Sequence, residues 1–226
     1  MTLSLKEIRS RITFRTFNIQ VGSWKFYIEA VDSQDALLDL VEGDFDPPYG
    51  LLLWESAIAL AQTLMPLGSE MQGKTVLELG CGTGLPGILC ARSGANVVQS
   101  DMFSYCTDLA QHNAEVNQIS NIGYHLSNWR DWNAPGVFDY VIGADLFYDR
   151  MVHRDLVNVL ARSLEPDGRI YFADPQRLST PAFLEMARLA GWQSSTTAVP
   201  TSIIHDSPSV QAFREIDVHR LIRAPR

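Results

Sequence analysis

Residues 12–31 alternate apolar and polar side chains in two runs: Phe17, Ile19 and Val21 precede Gly22-Ser23, and Trp24, Phe26, Ile28 and Ala30 follow it. Period two on both sides of a two-residue glycine turn predicts a β-hairpin with one apolar face. Residues 35–41, DALLDLV, fit a short helix, and GDFDPPYG at 43–50 then breaks regular structure with prolines and glycines. This break separates an N-terminal hairpin appendage, residues 1–46, from a main domain of residues 47–226 on whose core the hairpin is expected to pack.

Residues 51–64, LLLWESAIALAQTL, are apolar nearly all round, the pattern of a largely buried helix with Trp54 in its first turn. Short apolar runs then alternate with helical spacing. Strands are expected at 76–79, 95–101, 123–126, 138–143 and 169–173, and helices at 85–92, 105–118, 152–164 and 181–190. Strands separated by helices of this length imply right-handed crossovers and a doubly wound, mostly parallel sheet covered on both faces. Residues 194–199 and 210–222 read as strands joined only by a loop, so they form an antiparallel hairpin at one edge of a seven-stranded α/β sheet. No internal repeat or low-complexity run is present.

Composition narrows the function. The chain has 226 residues, 46% hydrophobic and 19% charged, which suits a single α/β core. Eighteen basic against 26 acidic residues give a net charge of -8, without a Lys/Arg cluster to track phosphates, which argues against nucleic acid. Such a surface suits a cationic substrate or basic peptide, and equally serves solubility. Three cysteines, Cys81, Cys90 and Cys106, contain no CxxC pair and point to a reducing compartment. The opening MTLSLKEIRSR has neither the look of a signal peptide nor of a spanning helix, so a cytoplasmic monomer without membrane contact is expected. Five scattered histidines lack zinc spacing, and no metal is expected.

The chemistry centres on VLELGCGTG at 76–84, a strand running into a turn with glycine at alternate positions. A dinucleotide turn needs GxGxxG, but Leu85 stands where the third glycine belongs, and Glu78 precedes the first. A carboxylate there repels a pyrophosphate and suits an ammonium or sulfonium. Asp101, at the end of the next strand, is where an acidic side chain holds ribose hydroxyls, and Met102 beside it can cover a base. Asp101 can also cap the following helix, and both roles can coexist. Periodicity alone leaves Trp54 a core residue.

These residues resemble class I, Rossmann-like seven-β-strand methyltransferases that use S-adenosylmethionine: ELGCGTG, Asp101 and the terminal antiparallel hairpin match, over residues 47 to the end. PYGLLLWESAIALAQTL, GKTVLELGCGTGLPGILCARSGA, Asn128-Trp129 and FDYVIGADLFYD are further similar to methyltransferase family 16, which includes protein lysine methyltransferases; its DxxY/F signature matches Asp145 to Tyr148. DPQR at 174–177 is only loosely like the family's group with electron-transfer flavoprotein substrates. The resemblance implies a cofactor site of Trp54, Glu78, Gly80, Cys81, Gly82, Gly84, Asp101, Met102, Asn128, Trp129 and Ala144, with Asn128 and Trp129 by the adenine and Ala144 at the methionine end. It also implies a protein acceptor, lysine first; for such an amine the chemistry of the residues suggests that Asp145 orients it and that Tyr148, with Phe147 or Trp54, forms an aromatic wall. On the residues alone, Asp145 can instead cap a turn with Phe147 and Tyr148 packed under the sheet. A small-molecule N-methyltransferase, a nicotinamide-dependent oxidoreductase and a non-catalytic nucleoside-binding module remain alternatives. A lysine-peptide enzyme should present an open acidic groove; a small-molecule enzyme should cover its site with a lid.

Overall fold

The computed structural model describes residues 3–38, 40, 47–204 and 213–224. It opens with α1 (Leu5–Arg9), closed at its start by a reciprocal Ser4–Glu7 capping box. The predicted hairpin follows as β1 (Phe14–Val21) and β2 (Trp24–Val31), in register from Phe14↔Val31 to Val21↔Trp24. Gly22 takes a left-handed φ of 54° at the first turn position, which a side chain would disfavour. The alternation is realised as expected: Phe17, Ile19, Val21, Phe26, Ile28 and Ala30 are buried, in one apolar cluster with Leu53, Leu60, Leu64 and Leu89. The helix expected at 35–41 is α2 (Gln34–Leu38); Asp39 and Val41, and the glycine-aspartate part of the following break, lie outside the described residues.

The helix expected at 51–64 starts later, as α3 (Glu55–Leu64). Tyr49–Leu51 form a 3-10 turn behind two prolines and Leu52 is extended, so Leu51 to Leu53 are buried without being part of an α-helix. Trp54 is the extended N-cap residue (φ −94°, ψ 148°) rather than part of the first turn. A short α4 (Gly68–Met71) leads to the crossover domain: β3 (Thr75–Leu79), α5 (Leu85–Arg92), β4 (Asn96–Asp101), α6 (Ser104–Val116), β5 (Ile122–Leu126), β6 (Phe138–Ala144), α7 (His153–Ser163), β7 (Leu164–Asp174), α8 (Thr180–Leu189), β8 (Trp192–Ser202) and β9 (Phe213–Arg223).

Among the described residues the main sheet has seven strands in the order β5-β4-β3-β6-β7-β9-β8. The pairs from β5 to β7 are parallel, while β9 runs antiparallel to both β7 and β8. The chain moves outward from β3 to β5 and then returns to build β6 on the other side of β3. Between the carboxyl ends of β3 and β6 the crossovers diverge, opening the crevice in which ligands of such sheets bind. One sheet face packs against α3, α5 and the hairpin, the other against α7 and α8.

The second edge of β2 is closed by side chains of α6 and its cap. Asn117 accepts from Tyr27 N–H (3.0 Å) and donates to Tyr27 O (2.8 Å), and Asn113 does the same at Glu29 (2.8 and 3.0 Å). Residues 27 and 29 share one strand edge and residues 113 and 117 one helix face, so each primary amide stands in for a peptide of a third strand. Asn113 also donates to Thr83 O (2.9 Å), tying the hairpin to the glycine turn.

Candidate cofactor and acceptor site

The glycines of 80–84 all lie at positive φ, 58°, 49° and 81° for Gly80, Gly82 and Gly84. Space explains them as well as conformation. A Cβ on Gly82 would sit 2.8 Å from Gly50 O, one on Gly84 2.9 Å from Ala110 Cβ, and one on Gly80 2.8 Å from Leu146 Cδ2. The turn is thus pressed between the 49–51 segment, α6 and the loop after β6. Cys81 N–H donates to Ser100 O (3.0 Å), and burial pushes the Cys81 thiol up.

Glu78 does not face the crevice in the way its sequence position suggests. Its carboxylate is buried behind the turn, where Oε2 accepts from Gly87 N–H (3.2 Å) and Gln99 Nε2 (2.7 Å). Gln99 also donates to Gly84 O (2.8 Å). Glu78 therefore fastens the turn to the start of α5, and burial pushes its carboxyl up to about 8 against the bonds from Gln99 and Gly87.

Asp101 closes β4 with its carboxylate at the turn: Oδ2 accepts from Gly82 N–H (3.2 Å) and Oδ1 from Phe103 N–H (3.1 Å). The second bond is the local turn expected ahead of α6; the helix's own N-cap is Phe103. Burial raises the Asp101 carboxyl against these bonds. Met102 is 49% exposed beside it. After β5, Asn128 caps the Trp129–Asp131 turn by accepting from Arg130 N–H (3.0 Å). Trp129 packs against the Leu146 cluster, with its Cζ2 3.8 Å from where a Gly80 Cβ would stand. Ala144 ends β6 opposite Ala173. Gly80 to Gly84, Asp101, Asn128 and Ala144 thus all stand at carboxyl ends of neighbouring strands.

That arrangement fits S-adenosylmethionine. The glycine turn lies at the carboxyl end of β3, and the side chain at the end of the neighbouring β4 is a carboxylate suited to vicinal hydroxyls. None of the turn residues carries a positive charge that would oppose a sulfonium.

The acceptor side is built from the loops after β6 and β7. Asp145 has φ 59°, its N–H donates to Ala173 O (2.7 Å), and its carboxylate takes a two-pronged ion pair from Arg177: Nε to Oδ1 at 2.5 Å and Nη2 to Oδ2 at 2.7 Å. Asp174 holds this loop from beneath, accepting from Arg177 N–H (2.9 Å) and Thr180 Oγ1 (2.7 Å). Asp145, Arg177, Trp54, Glu55, Ser56, Pro175 and Arg214 line one cavity of about 350 Å³. Trp54 thus lines this cavity, its indole N–H fixed on Tyr49 O (3.0 Å).

Phe147 cannot contribute to an aromatic wall. It is 0% exposed, stacked on Phe183 at 4.2 Å, and its carbonyl accepts from Ser179 Oγ and lies 3.2 Å from His153 Nε2. Tyr148, next in the chain, is 62% exposed and lines a neighbouring groove of about 520 Å³ with Arg150, Gln176, Arg177, Leu178 and Ser179. Asp145 and Tyr148 thus border adjoining hollows that share Arg177. The sequence marks 174–177 through the loose DPQR likeness and gives no role to Arg177, Glu55 or Arg214; the ion pair across 32 residues has no local signal.

The sequence profile of a family described as lysine methyltransferase matches residues 33–188. A histidine protein methyltransferase 1 homolog of Dictyostelium discoideum is 30% identical over 155 residues, covering 66% of this chain and 48% of that protein. A histone-arginine methyltransferase of Mus musculus is 25% identical over 158 residues, 67% of this chain and 62% of its own length. The chain thus aligns with about half to three fifths of these relatives. Among solved structures, an N-methyltransferase from Bradyrhizobium japonicum in complex with S-adenosyl-L-homocysteine superposes with a TM-score of 0.57 at 16% identity, covering 74% of this chain and 86% of that one, which is a likeness of fold. With the profile spanning more than half of its 226 residues, this chain belongs to the lysine methyltransferase family, the family 16 branch of class I S-adenosylmethionine-dependent methyltransferases.

Proposed function

We propose that this protein transfers a methyl group from S-adenosylmethionine to a side-chain nitrogen of a protein substrate, with lysine the first choice. The observation that carries this reading is the convergence of Trp54 and Asp145 on one cavity, with Gly80 to Gly84 and Asp101 at the carboxyl ends of the neighbouring strands β3 and β4. Gly80, Cys81, Gly82 and Gly84 would hold the methionine part through backbone, with Ala144 near its end. Asp101 would hold the ribose, and Met102, Asn128 and Trp129 the base; Glu78 acts at one remove, by holding the turn. When bound, the cofactor supplies an electrophilic methyl on sulfur, open to in-line displacement by a nitrogen lone pair.

The chain's own contribution is orientation and exclusion of water, which together contribute up to about 7–11 kcal/mol in well-aligned reactions. A lysine must first lose its proton, because the ammonium (free pKa about 10.4) has no lone pair. Desolvation in the cavity, with the guanidiniums of Arg177 and Arg214 in its lining, lowers that value. Asp145 aims the loop polar groups at the amine, and Tyr148 offers its ring at the entrance. A protein rather than a metabolite as acceptor is supported by the exposed rim of the adjoining groove, where Tyr148 and Leu178 are 62% and 93% exposed.

The test is transfer of labelled methyl from S-adenosylmethionine to lysate proteins and to the small-molecule fraction by wild type, Asp145→Ala and Tyr148→Ala. Label in a protein band that both variants reduce at least about tenfold supports the reading; label only in small molecules overturns the protein acceptor, and unchanged variants overturn the two roles. We also propose that the protein acts as a monomer in the cytoplasm without nucleic acid. Its three cysteines are free and buried, and among the described residues no helix is long and apolar enough to cross a membrane and no cluster of ligands could hold a metal. Cell fractionation and light scattering check location and mass.

A further inference from the structure

The acceptor cavity is electrically balanced where a lysine site is expected to be acidic. Its described lining carries two carboxylates, Glu55 and Asp145, and two guanidiniums, Arg177 and Arg214. Glu55 is buried and accepts from Ile204 N–H (3.2 Å). Asp145 is matched on both oxygens by Arg177, in the planar fork geometry that makes the strongest surface-accessible ion pairs. Asp145 is pinned through its backbone to Ala173 O, and Arg177 through its backbone to the fully buried Asp174.

We infer that Arg177 sets the charge state of the acceptor this pocket takes: by occupying Asp145, it requires the nitrogen to enter as a neutral amine and refuses a guanidinium. The inference rests on the proposed methyl transfer for its biological meaning, but the pocket property stands on geometry. A cation entering here finds Asp145 already matched by Arg177, and the remaining lining carboxylate, Glu55, is buried on Ile204 N–H, so its desolvation is poorly compensated. A neutral amine loses far less and brings its lone pair ready for attack. A guanidinium cannot shed its proton in a protein and would have to displace Arg177, its own chemical equal, from Asp145. The other charged or titratable groups facing this spot are Tyr148 after β6, Asp174 after β7, Asp217 and His219 on β9, and Arg150 in the adjoining groove. Asp174 faces Arg177 from below and His219 lies beneath Asp174.

The test uses the full chain saturated with S-adenosylhomocysteine, with n-butylamine and n-butylguanidine as probes whose binding is followed by NMR. If only the neutral amine binds, apparent affinity of the wild type for n-butylamine rises about tenfold per pH unit between about pH 7 and pH 9, because the neutral fraction does. n-Butylguanidine should not bind measurably. In Arg177→Gln the freed Asp145 accepts the ammonium: the slope should vanish, affinity near pH 7 should rise, and n-butylguanidine should bind. Arg177→Lys keeps the charge and should keep the slope. A flat wild-type profile, wild-type binding of n-butylguanidine, or an undiminished slope in Arg177→Gln overturns the inference. If Arg177→Gln does not fold, the wild-type slope and the n-butylguanidine result still decide. Methyl transfer to synthetic peptides with one lysine is measured alongside. No transfer with the slope intact defeats the proposed activity alone, and transfer with a flat slope defeats this inference alone.

Discussion

Asn113→Ala should destabilise the protein more than its single amide suggests, because that side chain joins three parts of the fold. It is fully buried, accepts from Glu29 N–H, and donates to Glu29 O and Thr83 O at 2.8, 3.0 and 2.9 Å. Each bond contributes about 0.5–1.5 kcal/mol net, and a buried group left without a partner costs about 1–3 kcal/mol. Allowing for partial entry of water, the loss is about 3 kcal/mol, or about 6–12 °C in Tm for a chain of this length. Asn117→Ala removes a matching pair of bonds to Tyr27, but these lie at the surface where water replaces them, so its loss should stay below about 1 kcal/mol. Asn113→Asp should be at least as damaging as Asn113→Ala, since it sets a buried carboxylate oxygen against two carbonyls. Urea unfolding followed by tryptophan fluorescence, with calorimetry for Tm, measures all three. Because Thr83 belongs to the glycine turn, affinity for S-adenosylhomocysteine should fall with stability in Asn113→Ala. A loss under about 0.5 kcal/mol, or equal losses at 113 and 117, would refute the idea that the amide at 113 anchors the hairpin to the turn.

Glu78 gives a pH prediction. Its folded pKa of about 8 lies above the ordinary 4.5, so its contribution to stability is full below about pH 4.5 and lost as pH rises through about 8. Glu78→Gln should therefore flatten the decline of Tm between about pH 5 and pH 9 and melt no lower than wild type at the alkaline end; a steeper decline by calorimetry would contradict the burial argument. Gly82→Ala must hold a left-handed φ, at roughly 1–2 kcal/mol, and meets the Gly50 carbonyl at 2.8 Å, so titration with S-adenosylhomocysteine should show at least about a tenfold loss of affinity. Phe147→Ala empties a site stacked on Phe183 and should lose about 3–5 kcal/mol in urea unfolding. A loss below about 1 kcal/mol would mean that Phe147 is not the anchor of its loop.

What could be read in advance was whatever rests on neighbours in the chain. Alternation at Phe17 to Ala30, the glycine turn and the strand-helix rhythm each carry their signal within a dozen residues, and each became the element expected. The start of α3 was misread because LLL and WESAIALAQTL have the same apolar character, while the 49–51 turn and the buried extended run after it depend on the prolines upstream and on what Leu51 to Leu53 pack against. Direction was less legible than identity. Nothing local says that Glu78 turns toward Gly87 and Gln99, or that Phe147 goes under the sheet while Tyr148 stays out; those choices depend on which face of a finished sheet each residue meets. Contacts across long separations were least legible of all. Asp145 and Arg177 follow two different strands, and each alone reads as a solvated charge or a turn residue. Only the parallel pairing of β6 with β7 sets their loops side by side, and the ion pair that results bears on the acceptor more directly than the family signature does. The glycine turn and Asp101 argue for a cofactor because many sequences converge on the same backbone solution. The acceptor is selected by charge balance among side chains from α3, the loops after β6 and β7, and β9, so its identity is to be sought in variants of Arg177 and Asp145 rather than in further motifs.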